Sequence, residues 1–472
     1  MRPLRVAVLF AAAIALTLPL QAQQVDSAFK GTVLGRLAAR EDSNFHFAAY
    51  IPRHYAADHP APLLLVLDPR GRAEQSIELM VPAAERLGWI VLSSYDTRSD
   101  DPHAPNARAV NLMIADALST FAVDTSRLYI AGFSGTARDA WVMAYGSNGH
   151  VVGIISADAA MPGDSSWRTD HLRVPPFDVA MSAASRGFNY FDVTLASDTL
   201  RALGAPVRTD EFTGDHAWSP EPVVAQAIGW LEARAMARKL RPMDPALVDS
   251  LYAVDSTAAA ALETRGQTGE AVLAWQNAAI AWKGLHDVGA ASARIAALTA
   301  QPAVKGWLSE RDSLVHRMPA EQRALAEPLA ALRRNPGVPD IRKLTQDLHV
   351  ERLARWAADS ADSVRAQWAV RALAGLYVEV SFYEPEAYLS VSDPDRALAV
   401  LTIAEEIHPG APAVCHERAR AYALRQDADR TLTELRCALA GHATTIAAIK
   451  ADGRYGFLRT NDAFLDLLHI PR

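Results

Sequence analysis

The chain has 472 residues, 50% hydrophobic and 21% charged, which is enough apolar material for two or three cored domains and excludes a disordered or fibrous protein. The net charge is −7, and the 47 basic residues (six lysines, the rest arginine) are scattered without a polybasic stripe, so no nucleic-acid partner is expected.

At the amino terminus Arg2 and Arg5 precede an apolar run from Val6 to Leu16, and Leu20-Gln21-Ala22 then offers a small residue for cleavage. This pattern predicts a signal peptide over residues 1–22 and a mature protein exported to the periplasm or the medium. The run is short for a bilayer crossing, and no stretch of about 18 uncharged apolar residues follows it, so no stable membrane span is expected.

From residue 23 to about 240 short apolar runs alternate with amphipathic segments. Phe45, Phe47, Ala49 and Ile51 share one face at period two and predict an antiparallel edge strand. Leu63–Leu67, Trp89–Leu92, Leu128–Ala131, Val151–Ile155, Phe177–Met181 and Val207–Phe212 are apolar on both faces, as parallel strands covered by helices must be. Between them Ala73–Leu87, Ala107–Phe121, Ala137–Tyr145, Phe191–Leu203 and Pro222–Arg238 carry apolar residues at helical spacing. The alternation predicts a doubly wound, mostly parallel α/β domain.

Beyond about Lys239 the strand signal stops, and residues 241–472 read as an all-α domain. Ala397–Ile407, Ala413–Leu424 and Ala428–Ala440 predict consecutive antiparallel helices, with Ala419, Ala421 and Ala423 permitting close contact. This part resembles tetratricopeptide repeats, with an irregular helical bundle as the other reading; presenting substrate, covering the site and binding a partner protein are the roles open to it. The only cysteines, Cys415 and Cys437, are equidistant from a turn near Gln426, so an antiparallel pair would bring them level. They fit either a disulfide in an oxidising compartment or two small core residues.

The chemistry falls in the first domain. Arg127–Ala131, Gly132-Phe133-Ser134-Gly135 and the helix that follows read as strand, tight turn and helix, which projects a serine hydroxyl above the sheet beside the amides opening the helix. His216, in Gly214-Asp215-His216-Ala217-Trp218, follows the last strand and returns to the same carboxyl edge. No histidine stands at a metal-ligand spacing with another His, Cys or carboxylate, so neither a metal nor a cofactor is expected.

Residues from about Phe45 to Arg238 resemble secreted bacterial α/β-hydrolases related to dienelactone hydrolases, esterase-like depolymerases and prolyl-oligopeptidase-type peptidases. The carriers are Tyr50-Ile51-Pro52, Leu67-Asp68-Pro69-Arg70-Gly71, Ala131-Gly132-Phe133-Ser134-Gly135, Phe188-Asn189-Tyr190 and Gly214-Asp215-His216-Ala217-Trp218. The resemblance implies Ser134 as nucleophile and His216 as base. It also implies an oxyanion hole from the backbone N–H of Gly135 and one amide of Pro69-Arg70-Gly71; Pro69 has no N–H, so Arg70 is the expected donor. Two departures stand out. Thr136 occupies the place of the elbow's second glycine, and Gly187 stands where relatives carry the triad acid. Asp158, after the strand Val151–Ile155, and Asp192, at the start of the next helix, are the substitutes, with Asp158 favoured; Asp215 would point away from its neighbour His216. The expectation is an exported serine hydrolase of carboxylic esters, or of peptides, with a small-molecule ester or peptide substrate. Gly187 and Thr136 favour the competing reading, an inactive hydrolase-fold scaffold acting through its helical domain.

Overall fold

The computed structural model describes residues 27–99, 101, 103–162, 174–334, 337–359 and 363–469. The expected signal peptide, residues 1–22, lies outside the described residues. Eight strands form one sheet in the order β1-β2-β4-β3-β5-β6-β7-β8. β1 (Val33–Ala38) and β2 (His46–Tyr50) are antiparallel to their neighbours. β3 (Ala61–Leu67), β4 (Ile90–Ser94), β5 (Val123–Phe133), β6 (Val151–Ala157), β7 (Asp178–Ala184) and β8 (Val207–Phe212) run parallel. This is the doubly wound, mostly parallel α/β sheet expected from the alternation of apolar runs. β1 was not anticipated: its burial is partial and irregular, and its register shifts between Leu34 and Leu37, so no clean period-two pattern marks it.

Both faces of the parallel strands are covered, as their uninterrupted apolar composition requires. Leu64, Val66, Val91, Tyr129, Ala131, Ile155 and Ala180 join one core. Their alternates Leu63, Leu65, Ile90, Leu92, Leu128, Ile130, Ile154 and Val179 are buried as well, and must face the other side. The first face packs against α1 (Ala73–Leu87) and α5 (Glu221–Ala237). α2 (Asn106–Thr120), α3 (Gly135–Gly146) and α4 (Tyr190–Ala202) complete the alternation.

The secondary structure changes character near residue 240, but the compact unit does not end there. α6 (Pro245–Thr264) and α7 (Thr268–Trp282) place Val248, Leu251, Tyr252, Ala278, Ala281 and Trp282 in the same core as the sheet. Polar contacts add to this docking. Arg208 on β8, 4% exposed, forms ion pairs with Asp210 at 2.7 Å and with Asp255 of α6 at 2.7 Å. Asp255 also accepts hydrogen bonds from Trp282 Nε1 (2.6 Å) and Gln226 Nε2 (3.0 Å). The first unit therefore extends to Val315 and the second begins at His316, inside the long helix α9 (Pro302–Arg334) that follows α8 (Gly289–Thr299).

Among its described residues the second unit is helical throughout. α10 (Ile341–Asp347), α11 (Val350–Ala357), α12 (Val364–Val378), α13 (Glu384–Ser390) and α14 (Pro394–Ile407) lead to a pair, α15 (Pro412–Leu424) and α16 (Ala428–Ala440). Gln426 makes the turn with φ 56°, and Asp427 caps α16 by accepting from the Arg430 N–H. Cys415 and Cys437 are joined as a disulfide across the pair, with Cα atoms 5.9 Å apart. The remaining helices, α17 (Ile446–Ala451) and α18 (Asp462–Leu467), supply Ile449 and Phe464 to a small core with Leu432 and Leu435 of α16. Among the described residues no helix is long and apolar enough to cross a membrane.

Two stability outcomes follow from these contacts. Asp255→Ala, which strips Arg208 of one buried partner, should destabilise the first unit by about 3 kcal/mol in denaturant unfolding. Replacing Cys415 and Cys437 together with alanine should lower the stability of the second unit by about 2–4 kcal/mol, read from the same experiment followed by circular dichroism.

Candidate active site

Ser134 has φ 55° and ψ −125°, a backbone region that side chains other than glycine rarely occupy. The hydrogen bonds explain why it is held there. The Ser134 N–H still donates to the Ala157 carbonyl of β6 (3.0 Å), while the Ser134 carbonyl already accepts from Ala137 N–H (3.1 Å) at the start of α3. One residue thus ends a strand and begins a helix, and the reversal lifts its side chain above the sheet edge. Gly132 is required on the way in: a Cβ there would lie 2.4 Å from the Thr136 carbonyl oxygen. Thr136 itself is buried, and its hydroxyl donates to the Leu67 carbonyl of β3 (2.6 Å). The branched residue at this elbow is therefore accommodated by a bond to the adjacent strand.

His216 leaves the end of β8 and turns back over that edge. Its Nε2 lies 2.8 Å from Ser134 Oγ, and its Nδ1 lies 2.5 Å from Asp158 Oδ2. The imidazole sits between the rings of Phe133 (centroids 4.7 Å apart) and Phe188 (4.2 Å), and its side chain remains 21% exposed. Two further bonds anchor its loop: Ser219 Oγ to Ser182 Oγ on β7 (2.6 Å), and Trp218 Nε1 to Asp68 Oδ2 (2.9 Å).

Of the two substitute acids, the structure brings Asp158 to the histidine. Asp158 directly follows β6, has φ 44°, and is fully buried. Its Oδ1 accepts from the Ala184 N–H (3.0 Å), and its carbonyl accepts from Asn189 Nδ2 (2.8 Å). Asp192 lies in the first turn of α4 and is not the partner of His216 Nδ1. Asp215 pairs with Arg186 through both oxygens, at 2.9 and 3.2 Å, and so turns away from its neighbour. Gly187 has a direct part in this arrangement. A Cβ at that position would lie 2.9 Å from Asp158 Oδ2, the oxygen facing His216. The glycine that reads as a missing acid leaves the space the relocated carboxylate occupies.

The loop expected to supply a second oxyanion donor is folded onto Asp68. Gly135 opens α3, so its N–H lacks an intrahelical acceptor and is available beside Ser134. The Arg70 N–H, expected as the second donor, instead donates to Asp68 Oδ1 at 2.8 Å. Asp68 is 1% exposed and gathers the loop onto itself: Arg72 N–H reaches Oδ1 (3.1 Å), the Arg72 guanidinium spans both oxygens, and Gly71 N–H reaches the Asp68 carbonyl (3.1 Å). Burial alone would raise the Asp68 pKa, but Arg72, Trp218 and the backbone N–H donors outweigh it and hold the carboxyl below its ordinary range. The Asp68 and Trp218 roles were missed in the sequence because each depends on a partner 150 positions away.

No protein-family model and no curated protein matches the chain. Among solved structures it is similar to an S-formylglutathione hydrolase from Staphylococcus aureus, at 14% identity and TM-score 0.32, covering 40% of this chain and 90% of that one. It is also similar to a hyperthermophilic esterase from Pyrobaculum calidifontis, at 13% identity and TM-score 0.35, covering 46% and 88%. A fluorophosphonate-binding serine hydrolase of Staphylococcus aureus aligns at 11% identity and TM-score 0.35, covering 42% and 97%.

Gly187→Ala should displace Asp158 Oδ2 from His216 and lower kcat about 10²-fold for any ester the protein turns over; the same Cβ would lie 2.9 Å from the buried Ala184 Cβ, so the melting temperature should fall as well. Trp218→Phe keeps the ring but drops the bond to Asp68, and should lower kcat about 10-fold through the loosened His216 loop.

Proposed function

We propose that the protein is an exported serine hydrolase that cleaves carboxylic esters through an acyl-enzyme. The observation that carries this reading is the continuous chain from Ser134 Oγ to His216 Nε2 (2.8 Å) and from His216 Nδ1 to Asp158 Oδ2 (2.5 Å), assembled from the ends of three strands. Such a geometry supports nucleophile, base and orienting acid in that order.

The chemistry follows from the contacts. Ser134 Oγ attacks the carbonyl carbon as its proton passes to His216 Nε2, and Asp158 stabilises the imidazolium through Nδ1–H. The negative charge collects on the former carbonyl oxygen, toward which the Gly135 N–H donates. Collapse breaks the bond to the leaving oxygen, which takes the proton from Nε2 and departs as an alcohol. Water then attacks the acyl-Ser134 carbonyl, again giving a proton to His216, and the acid is released as Ser134 is reprotonated.

An ester is preferred to a peptide because an alkoxide leaves with less help than an amine. The argument from a missing acid falls away, since a carboxylate stands at His216. The inactive-scaffold reading rested on Gly187 and Thr136, and each has a structural role that is compatible with catalysis. Export is supported by the Arg2, Arg5 and Val6–Leu16 pattern together with the Cys415–Cys437 disulfide, a bond that persists in oxidising compartments. We assign the helical second unit a role in protein recognition, on the resemblance of its α15–α16 pair to tetratricopeptide repeats.

A fluorophosphonate probe should label the wild-type protein and fail to label Ser134→Ala. Short-chain p-nitrophenyl esters should be turned over with a burst, and Asp158→Asn should lower kcat by about 10²- to 10⁴-fold. Absence of both labelling and turnover in the wild type would overturn the hydrolase reading.

A further inference from the structure

An oxyanion in a water-excluded site is held by two or more donors aimed at one point, and each is worth a large factor in rate. Gly135 supplies one N–H at this site. The amides of Arg70, Gly71 and Arg72, which follow β3, all turn back onto Asp68. Another segment reaches the same place. The loop leaving β4 crosses the end of β3, where Thr97 Oγ1 donates to the Asp68 carbonyl (2.9 Å) and Ser99 N–H donates to the Pro69 carbonyl (3.1 Å). It arrives at the elbow. A Cβ added to Gly135 would lie 2.4 Å from Ser99 Cβ and 3.2 Å from Ser99 Oγ. The Ser99 side chain therefore packs directly on the residue whose N–H is the first donor. That contact also requires residue 135 to be glycine, since any side chain there would displace Ser99.

We propose that the Ser99 hydroxyl is the second oxyanion donor, acting with the Gly135 N–H on the oxygen that becomes charged when Ser134 attacks. This rests on the serine-hydrolase reading. A hydroxyl suits the task because it rotates: it can donate elsewhere in the resting protein and turn to the oxygen as charge develops. No proton is transferred; Ser99 Oγ–H gives a hydrogen bond that is stronger in the transition state than to the neutral carbonyl, so its contribution falls on kcat. The Asp68 carboxylate takes the Arg70 N–H, while the backbone carbonyls of Asp68 and Pro69 hold the segment that brings Ser99.

The experiment compares wild type, Ser99→Ala, Ser99→Cys and Ser134→Ala on p-nitrophenyl acetate, with melting temperature measured for each. Ser99→Ala should lower kcat about 10²-fold with KM within about twofold of wild type and no change in melting temperature. Ser99→Cys, with a weaker donor of similar shape, should fall between the two. A Ser99→Ala protein that turns over within about twofold of wild type, while Ser134→Ala is inactive, overturns the Ser99 assignment and leaves the hydrolase reading standing. A wild type without turnover or fluorophosphonate labelling overturns both.

Discussion

A carboxylate with no exposure to water is the constraint around which the site is organised. Asp158 is fully buried, and an ionised carboxylate in such a place is tolerated only where donors surround it. Two donors stand at its oxygens, the Ala184 N–H at the end of β7 and the Nδ1–H of His216. Satisfying the carboxylate therefore settles the imidazole: with Nδ1 committed, Nε2 is the nitrogen left to accept from Ser134. Gly187 contributes by having no side chain, because one there would press on the oxygen that faces the ring.

Ser134 and His216 were legible as candidates in the sequence because their signals are local. A glycine-flanked serine between an apolar strand and a helix can be read within ten residues, and a histidine after the last strand within five. For the candidate acid the sequence favoured Asp158 and kept Asp192 as the alternative. Choosing Asp158 over Asp192 requires knowing that β6 lies between β5 and β7, so that its end falls level with both the elbow and the His216 loop. The bond that the Arg70 N–H makes was hidden for a different reason. Asp at the start of a tight loop competes for the N–H two residues on, and here it captures that group. Gly187 read as a loss, since a sequence shows which residue is absent but not what space its absence leaves.

The end of the first unit was hidden by the same locality. Composition changes near residue 240, where strands give way to helices, and that shift is real. Packing continues past it. β8 is the last strand of the sheet, and an uncovered edge is a liability that proteins close with other elements. Nothing in α6 or α7 announces that their apolar residues belong with the sheet. Asp255 reads as one more charge on an Ala-rich helix until Arg208 is found buried against it.

That covering bears on the chemistry as well as on stability. The His216 loop departs from β8 and is tied down at its far side by Ser219 to β7 and by Trp218 to Asp68 at the end of β3. Its near side is only as well placed as β8 itself. Arg208 lies on that strand and, with its desolvated guanidinium, would be costly there without Asp210 and Asp255 to meet it. Asp255 in turn is held by Trp282 and Gln226, one from each of two helices flanking it in sequence. The paired charges of Arg208, Asp210 and Asp255 thus tie β8, the strand that leads into the His216 loop, to α6. α6 and α7 are on this account part of what positions the strand from which His216 departs, and removing them would expose Arg208.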